Sequence, residues 1–347
     1  MTSSETSLSR YARQTCYAPI GTAGQQRILQ SRILVCGCGA LGSVLANTLA
    51  RSGVGHLRIV DRDFLELNNL QRQVLYDEQD VASGLPKAIA AANRLRKINS
   101  QIEIEPVVAD VDHRNIRELV QDVDVIVDGT DNFDIRFLLN DISLETNIPW
   151  VYGGCIGAEG QTMTVVPSKT ACLRCLMADA PPPGTTPTCD TAGILGPIIN
   201  VIASMQAAEA LKLVCGKEEA ICCDLRVIDL WDNRLKQINL QPLLESKSCP
   251  ACFQGERLWL HGERGSQTAV LCGRNAVQLS FPERSEISLP ALAEKLARLG
   301  NVTVNPFLLK ATIDEFQLSV FPDGRAIIGG TEEISVAKSV YARYIGN

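Results

Sequence analysis

The sequence has little of what would mark a nucleic-acid-binding or exported protein. It contains 3 histidines in 347 residues, and no run of lysine and arginine occurs in a chain whose formal net charge is −6. Nucleic acids and anionic membranes bind basic faces, so we expect neither as a main partner. The polar residues 1–7 lack an apolar core, which predicts no signal peptide, no membrane span and a cytoplasmic protein.

Thirteen cysteines are present, and their spacing predicts a metal site. Without a secretory signal they indicate thiols or metal ligands rather than a disulfide framework. Two C-x-x-C pairs, Cys172/Cys175 and Cys249/Cys252, match the four thiolates of a structural zinc site. The alternative is two unrelated thiol pairs, one of them redox-active. Because a closed four-sulfur site leaves no position for substrate, we assign this zinc to folding.

The stretch Arg32–Gly42 carries the first nucleotide-binding signal. Its apolar first half predicts a buried strand, and Gly37, Gly39 and Gly42 then complete a G-x-G-x-x-G pattern. Glycine permits a tight turn and close backbone approach, and the free N–H groups of the following helix favour an anion. Asp61 ends the next strand, where an α/β nucleotide fold places its ribose-binding carboxylate. The turn alone fits a dinucleotide and ATP equally.

Strand and helix patterns alternate as far as residue 153 and change to hairpin-like strands after Gly157. This predicts an α/β protein with a Rossmann-like mixed sheet, whose parallel nucleotide-binding half continues into antiparallel strands. The last part of the chain predicts a small α+β domain. We divide the chain into an N-terminal arm (1–30), an ATP-binding domain (31–255) with a crossover segment (176–190), and a C-terminal domain (256–347).

Arg72, Lys87 and Asp131 form a set suited to nucleoside triphosphate chemistry. Arginine and lysine neutralise phosphate charge as it moves toward a leaving pyrophosphate, and a carboxylate can hold Mg²⁺. The structural alternatives are a surface ion pair for Arg72, a helix-start charge for Lys87 and a helix N-cap for Asp131. Their shared placement at the carboxyl ends of consecutive strands favours the functional interpretation.

Several ordered motifs together closely resemble the ThiF/MoeB/HesA adenylyltransferases, relatives of the ubiquitin-activating enzymes. The motifs are R-Y-A-R-Q at 10–14, G-x-G-x-L-G at 37–42, D-x-D at 61–63, N-L-Q-R-Q at 69–73, P-K at 86–87, D-G-T-D-N at 128–132, T-C-D-T-A-G at 188–193 and the paired C-x-x-C. The resemblance covers roughly residues 8–253. A weaker likeness links residues 272–277 and 321–325 to the extension of some thiazole-biosynthesis members. One departure is Ala40, where many relatives have a third glycine in the turn.

The resemblance implies ATP-dependent adenylation of a ubiquitin-like sulfur-carrier protein of the thiamine or molybdopterin type. The carboxylate of the carrier's C-terminal Gly-Gly would attack the α-phosphate of ATP and release pyrophosphate. It also implies a homodimer, in which Arg13 reaches into the neighbouring subunit's site, and a partner protein that donates sulfur. Because a carboxylate is a poor nucleophile, positioning and charge neutralisation would supply most of the catalysis.

The family's site residues carry over position by position. Asp61 would hold the ribose, and Asn69 with Arg72 the triphosphate. Lys87 would contact the α-phosphate region, and Asp131 with Asn132 the Mg²⁺ and the adenylate. The full nucleotide-binding set is Gly37, Gly39, Ala40, Gly42, Asp61, Asp63, Asn68, Asn69, Arg72, Gln73, Lys87, Asp131 and Asn132.

Cys189 lies in the crossover segment, next to a run of prolines. In some members of the family the cysteine of this motif takes part in sulfur transfer to the activated carrier, and in others it is dispensable. A thiol on a flexible segment can approach an acyl-adenylate, and an inert thiol is the alternative. We group Cys189 with Arg13, Arg72, Lys87 and Asp131 as the candidate catalytic residues.

Other functions stay open on the sequence alone. An NAD-dependent oxidoreductase would use the same turn and Asp61, but it leaves Arg72, Lys87 and the cysteine pairs without a role. An inactive carrier-binding scaffold is opposed by the intact Arg13, Lys87 and Asp131. A relative that adenylates a small molecule or a tRNA base generally lacks the paired cysteines. The C-terminal domain is interpreted as a scaffold or docking module.

Overall fold

The computed structural model describes residues 8–181, 189–265, 268–271, 275–279 and 287–346, and for residues 189, 190 and 268–271 it describes the backbone. The chain forms two compact units, the first ending at Arg264 and the second beginning at Gly265. Each unit has a sheet and an apolar core of its own.

An eight-stranded sheet forms the centre of the first unit. Its strands are β1 (Arg32–Cys36), β2 (His56–Val60), β3 (Glu103–Val107), β4 (Val125–Asp128), β5 (Trp150–Ile156), β6 (Glu159–Val165), β7 (Leu225–Asp229) and β8 (Arg234–Ile238). The spatial order is β3-β2-β1-β4-β5-β6-β7-β8. The pairs from β3 to β5 are parallel and those from β5 to β8 are antiparallel. The predicted Rossmann-like mixed sheet is therefore confirmed.

Helices cover both faces of this sheet. The helices are α1 (Ala12–Thr15), α2 (Gly21–Gln30), α3 (Ala40–Ser52), α4 (Glu78–Ser83), α5 (Lys87–Ile98), α6 (Ile116–Leu119), α7 (Phe133–Thr146), α8 (Leu173–Leu176), α9 (Cys189–Ala192), α10 (Gly196–Val214), α11 (Gln241–Glu245) and α12 (Pro250–Gln254), with 3₁₀ turns at Leu67–Asn69 and Glu218–Ala220. One apolar cluster joins α3, α5 and α10, and a second joins α7 to the cysteine pairs. The central strands are buried because apolar side chains cover them from both sides.

The longest helix of the described residues, α10, runs through the core of the first unit. Its length and apolar composition would suffice to cross a membrane. In the structure it packs on α3, β5 and β6, and Ile198, Ile202 and Ala203 are fully buried. Buried core helices of soluble folds meet the same criteria of length and composition.

The described residues of the second unit form a six-stranded antiparallel sheet with two helices. Its elements are β9 (Thr268–Leu271), β10 (Ala276–Leu279), α13 (Leu289–Leu296), β11 (Asn301–Asn305), β12 (Leu308–Ile313), β13 (Phe316–Val320), β14 (Ala326–Gly329) and α14 (Ile334–Tyr344). The strand order is β11-β12-β13-β14-β10-β9. Leu296, Leu309 and Val340 belong to one apolar cluster between the sheet and the helices. The predicted small α+β region is confirmed.

Residues 256–264, which are predicted from the sequence to belong to the C-terminal domain, pack against α7 of the first unit. The Trp259 ring stacks on Phe137 with 4.4 Å between ring centroids. The backbone N–H groups of Trp259 and Leu260 both donate to Asp141 Oδ2, at 3.0 and 3.4 Å. Burial raises the pKa of Asp141 to about 6, and these two hydrogen bonds oppose the rise.

This buried carboxyl predicts a pH-dependent stability. The pKa of Asp141 is higher in the folded chain than its ordinary value of 3.8, so its stabilising contribution is full below pH 4 and is lost as the pH rises through about 6. Relative to wild type, Asp141→Asn should gain up to about 3 kcal/mol of unfolding free energy between pH 4 and pH 7. Denaturant titrations across this range measure the difference. Glu118→Gln, at an exposed site, is the control, and a pH-independent difference for Asp141→Asn would contradict the assignment.

Candidate active site

The glycine turn joins three segments of backbone at the carboxyl edge of the sheet. Gly37 adopts a φ of +83°, and its N–H donates to Val60 O at 2.8 Å, which ties β1 to β2. A Cβ on Gly42 would lie 1.9 Å from Gly37 O, and one on Gly129 would lie 2.5 Å from the same atom. The turn, the start of α3 and the end of β4 therefore approach more closely than any side chain would allow.

Ala40, the departure from the family pattern, is the first residue of α3. Gly39 before it is the N-cap residue and carries no side-chain capping bond. The Ala40 side chain is partly buried against the apolar cluster under α3. A methyl group at this position is thus compatible with the fold, while the backbone N–H groups that begin α3 remain a site for an anion.

Asp61 connects the turn to the end of β2. One carboxylate oxygen accepts the N–H of Cys38 at 2.6 Å, and the other accepts the N–H of Asp63 at 2.7 Å. Burial raises the pKa of Asp61, and the Lys87 cation opposes this. A buried acceptor between two backbone donors fixes the conformation of the turn.

Lys87 is the first residue of α5, and the start of this helix lies at the same edge of the sheet. Its backbone N–H donates to Asp63 O at 2.8 Å, and Nζ lies 3.3 Å from Asp63 Oδ2. Burial lowers the pKa of Lys87, but the carboxylates of Asp63, Asp61 and Asp131 outweigh it and hold the pKa above its ordinary value. The ammonium is therefore a fixed, buried positive charge beside the turn.

Asp131 follows β4, and its side chain is exposed. The negative charge of Asp131 raises the pKa of both Lys87 and Arg62, so Asp131 interacts electrostatically with these two cations. The helix N-cap considered for Asp131 is taken instead by Asn132, whose Oδ1 accepts the N–H of Ile135 at 3.3 Å. An exposed carboxylate beside the glycine turn is of the type that Mg²⁺ binds together with phosphate oxygens.

The N-L-Q-R-Q motif begins in the 3₁₀ turn Leu67–Asn69. Buried Asn69 accepts the N–H of Glu66 at 3.1 Å and donates to Asn68 Oδ1 at 2.7 Å. Half-buried Arg72 donates to the carbonyl oxygen of Asn68 at 2.8 Å. These bonds form one folded corner, in which the Arg72 side chain is tied to the backbone of Asn68.

Gln73 extends this corner toward the turn. It is 3% exposed, and a Cβ on Gly39 would lie 3.9 Å from its Nε2. Within the described residues its Oε1 has no hydrogen-bond partner. A buried polar atom without a partner costs free energy, so a ligand or water donor would be stabilising there.

Arg13 is the predicted residue that the fold keeps away from the others. Tyr11 is buried, its ring lies against Gly53, and its hydroxyl accepts from Asn99 Nδ2 at 2.9 Å. Gly53 caps the C-terminal end of α3, whereas the turn is at the N-terminal end. A helix of this length spans about 20 Å, so exposed Arg13 lies about that far from the turn of its own chain.

The two cysteine pairs converge on the opposite face of the sheet from α10. Their Sγ atoms all lie within 4.8 Å of one another. The separations are 3.7 Å for Cys172–Cys249, 3.8 Å for Cys172–Cys175 and 3.6 Å for Cys175–Cys252. A tetrahedron with metal–sulfur bonds of about 2.3 Å has edges of about 3.8 Å, so the cluster fits zinc.

The helix that carries Cys189 is described, while its side chain and residues 182–188 lie outside the described residues. Immediately after α9, Gly193 O accepts the N–H of Gly157 at 3.0 Å, and the N–H of Leu195 donates to Gly157 O at 2.8 Å. The segment that follows Cys189 is thereby fixed beside the end of β5.

Two further residues organise the site and were missed in the sequence. The Tyr76 hydroxyl donates to Cys38 O at 2.7 Å and so supports the turn from within the core. Arg62 NH1 contacts Asp110 Oδ1 at 2.8 Å, beside the D-x-D motif. The position of Arg62 inside that motif is a signal that could have identified it. Tyr76 has no comparable signal, because its partner is distant in the sequence.

Comparison with known proteins places these features in one family. The ThiF family model matches residues 11–251. A Bacillus subtilis protein, "Sulfur carrier protein ThiS adenylyltransferase", is 44% identical over 340 residues, which is 97% of this chain and 99% of that protein. The Haloferax volcanii "SAMP-activating enzyme E1" is 42% identical over 250 residues, 72% of this chain and 90% of that protein.

Solved structures show the same fold. The crystal structure of E. coli MccB with MccA-N7isoASN matches with a TM-score of 0.60 and 25% identity. The match covers 67% of this chain and 72% of that chain. The similarity supports the arrangement of sheet and helices described above.

Proposed function

This chain belongs to the ThiF family, and from this premise we propose that it is an ATP-dependent adenylyltransferase acting on a ubiquitin-like sulfur-carrier protein. The observation that carries the proposal is the convergence of Asp61, Lys87 and Asp131 on the glycine turn, in a chain 44% identical to a ThiS adenylyltransferase along nearly its whole length. The oxidoreductase and inactive-scaffold alternatives fit less well, because neither uses this set of charges.

In this proposal the turn and the start of α3 bind the phosphates, and Asp61 binds the ribose. Lys87 neutralises charge near the α-phosphate, where its position is fixed by Asp63. Arg72, with Asn68, Asn69 and Gln73, surrounds the triphosphate. Mg²⁺, held by Asp131 and phosphate oxygens, would reduce the charge on the pyrophosphate as it leaves.

The reaction forms a bond between a carboxylate oxygen of the carrier's C-terminal glycine and the α-phosphorus of ATP, and breaks the bond to the bridging oxygen of pyrophosphate. Two anions must approach each other in this step. Fixed cations such as Lys87 remove that repulsion at no cost of reorganisation, because burial and carboxylate partners hold them in place before substrate arrives.

A homodimer completes the proposed site. Arg13 lies about 20 Å from its own chain's turn, at the far end of α3, so a contribution to catalysis requires the arginine of a second copy. A guanidinium supplied in this way would stabilise the charge that develops on the phosphates.

The remaining proposals concern zinc, Cys189 and the second unit. Zinc bound by Cys172, Cys175, Cys249 and Cys252 would join the segment after β6 to the end of the first unit. Cys189 would act in sulfur transfer from a donor protein. The eleven cysteines whose side chains are described form no disulfide with one another, which suits a cytoplasmic enzyme. The second unit, shared with the Bacillus relative, would serve as a scaffold or docking module.

Isotope exchange between ATP and pyrophosphate tests the activity. Wild type should catalyse exchange only with Mg²⁺ and a sulfur carrier that ends in Gly-Gly, and a carrier lacking the last glycine should not support it. Asp131→Asn should reduce the exchange rate by about 100-fold or more, because a metal-binding carboxylate is lost. The exposed Glu118→Gln is the control. No exchange with wild type and any such carrier would refute the function.

Mixing two inactive variants tests the dimer. Arg13→Ala and Asp131→Asn should each be inactive alone, since each site would need Arg13 from one subunit and Asp131 from the other. After subunit exchange in an equal mixture, about a quarter of all sites should carry both native residues and recover activity. Mass spectrometry of intact dimers verifies the exchange. Full activity of Arg13→Ala alone, or no recovery after exchange, would exclude an arginine supplied between subunits.

Metal analysis tests the zinc site. Wild type should contain one zinc per chain, and Cys252→Ser should lose most of it together with several kcal/mol of stability, because metal binding contributes directly to folding. Cys223→Ser is the matched control, since Cys223 is exposed and outside the four-sulfur cluster. A metal-free wild type, or an unchanged melting temperature in Cys252→Ser, would contradict the assignment.

A further inference from the structure

A buried ion pair lies directly behind the Asp131 loop. Asp128 is fully buried at the end of β4, and the Arg136 side chain, near the start of α7, is 8% exposed. Arg136 Nε lies 3.4 Å from Asp128 Oδ2. The guanidinium carbon lies 5.2 Å from the Phe133 ring centroid and 5.4 Å from that of Tyr152. The cation is therefore held between two aromatic rings as well as by the carboxylate.

The ion pair holds Thr130, the residue before Asp131, at both of its backbone polar groups. Asp128 Oδ1 accepts from the Thr130 N–H at 2.8 Å and from its hydroxyl at 2.7 Å. Arg136 NH2 donates to the Thr130 carbonyl oxygen at 2.7 Å. That carbonyl belongs to the peptide that links Thr130 to Asp131. The Asp128–Thr130–Arg136 ring thus fixes the peptide from which the Asp131 side chain projects.

Hydrogen bonds connect the ring to strands β4 and β5 of the sheet. Arg136 NH2 also donates to Gly153 O in β5 at 3.3 Å. Fully buried Gln206, from α10, donates to Asp128 O at 2.8 Å and to Val151 O at 3.2 Å. The end of β4 is joined to the first half of β5 by these bonds, so the ring cannot shift without disturbing both strands.

Stability alone is a poor explanation for this arrangement. Burial raises the pKa of Asp128, with Arg136 and Thr130 opposing it, which shows that the carboxylate is costly to ionise there. Buried ion pairs can often be replaced by well-packed apolar residues without loss of stability. What the ring adds, and apolar packing would not, is a single orientation for the Thr130–Asp131 peptide.

We propose that Arg136 is a positioning residue for Asp131, which presents the Asp131 carboxylate in one orientation to the Mg²⁺ that accompanies ATP. The inference rests on the proposed function, in which Asp131 is the metal-binding carboxylate. Arg136 itself is buried behind the loop, so it would act through Asp131. Mutation of a residue that orients a metal-binding carboxylate typically lowers metal affinity by 10-fold to 100-fold.

The test is calorimetric titration of Mg²⁺ into the full-length protein, saturated with an ATP analogue that has a methylene bridge between the α- and β-phosphates. Arg136→Lys keeps the charge but lacks the planar fork that reaches Thr130 and Asp128 together, so Mg²⁺ should bind at least 10-fold more weakly. Ile142→Val is the matched control, because Ile142 is fully buried in the same helix and outside the ring. It should lower the melting temperature and leave Mg²⁺ binding within twofold of wild type.

A second pair of variants keeps the proposal testable if Arg136→Lys does not fold. Thr130→Val removes the hydroxyl bond to Asp128 at nearly constant shape, whereas Thr130→Ser retains it. Thr130→Val should weaken Mg²⁺ binding, and Thr130→Ser should restore it. If Arg136→Lys or Thr130→Val only lowers the melting temperature, as Ile142→Val does, the positioning role is overturned.

Pyrophosphate exchange separates this inference from the proposed function. With an active wild type, half-maximal exchange in Arg136→Lys should require at least 10-fold more Mg²⁺, while the KM for the carrier stays within twofold. A wild type that binds Mg²⁺ with the analogue but catalyses no exchange would refute the function, and the binding data would still decide the role of Arg136. Equal Mg²⁺ affinity in wild type, Arg136→Lys and Thr130→Val would refute the inference while exchange upholds the function.

Discussion

The close approach of three backbone segments, at Gly37, Gly42 and Gly129, is the constraint on which the nucleotide site depends. A Cβ on Gly42 or Gly129 would lie 1.9 or 2.5 Å from the same carbonyl oxygen, so these positions exclude side chains. The absence of side chains brings the start of α3 against the ends of β1 and β4. The free N–H groups of the helix then face the edge of the sheet at which β2 and β4 deliver Asp61 and Asp131.

Charges around this turn are fixed before any ligand binds. Asp61 holds the backbone of Cys38 and Asp63, Lys87 is buried against Asp63, and Arg62 contacts Asp110. Because each cation already has a carboxylate partner, it stays charged despite its burial. A site built in this way can exchange protein carboxylates for phosphates without moving its cations, which is the kind of preorganisation that adenylation requires.

Different elements cover the two faces of the sheet. Helix α10 and the helices beside it cover one face of the sheet. A buried polar side chain of α10, Gln206, donates a hydrogen bond to the backbone of Asp128 at the end of β4. On the other face, α7 connects the loop of Asp131 with the cysteine cluster and with the segment at Trp259. Helix α7 therefore begins beside Asp131 and packs on the segment at Trp259 through Phe137 and Asp141.

The sequence by itself determined the strand–helix alternation, the nucleotide turn and the pairing of the cysteines, because these depend on local patterns: apolar runs, glycines at fixed intervals and C-x-x-C spacing. It also predicted Lys87 and Asp131 as members of one charged set, and the structure places both charges in the same electrostatic environment. Only the tertiary structure decided which cap Asn132 forms, that Arg13 lies far from its own turn, and that Tyr76 and Arg136 support the site. Those roles arise from contacts between residues distant in the chain, and no local pattern records such contacts.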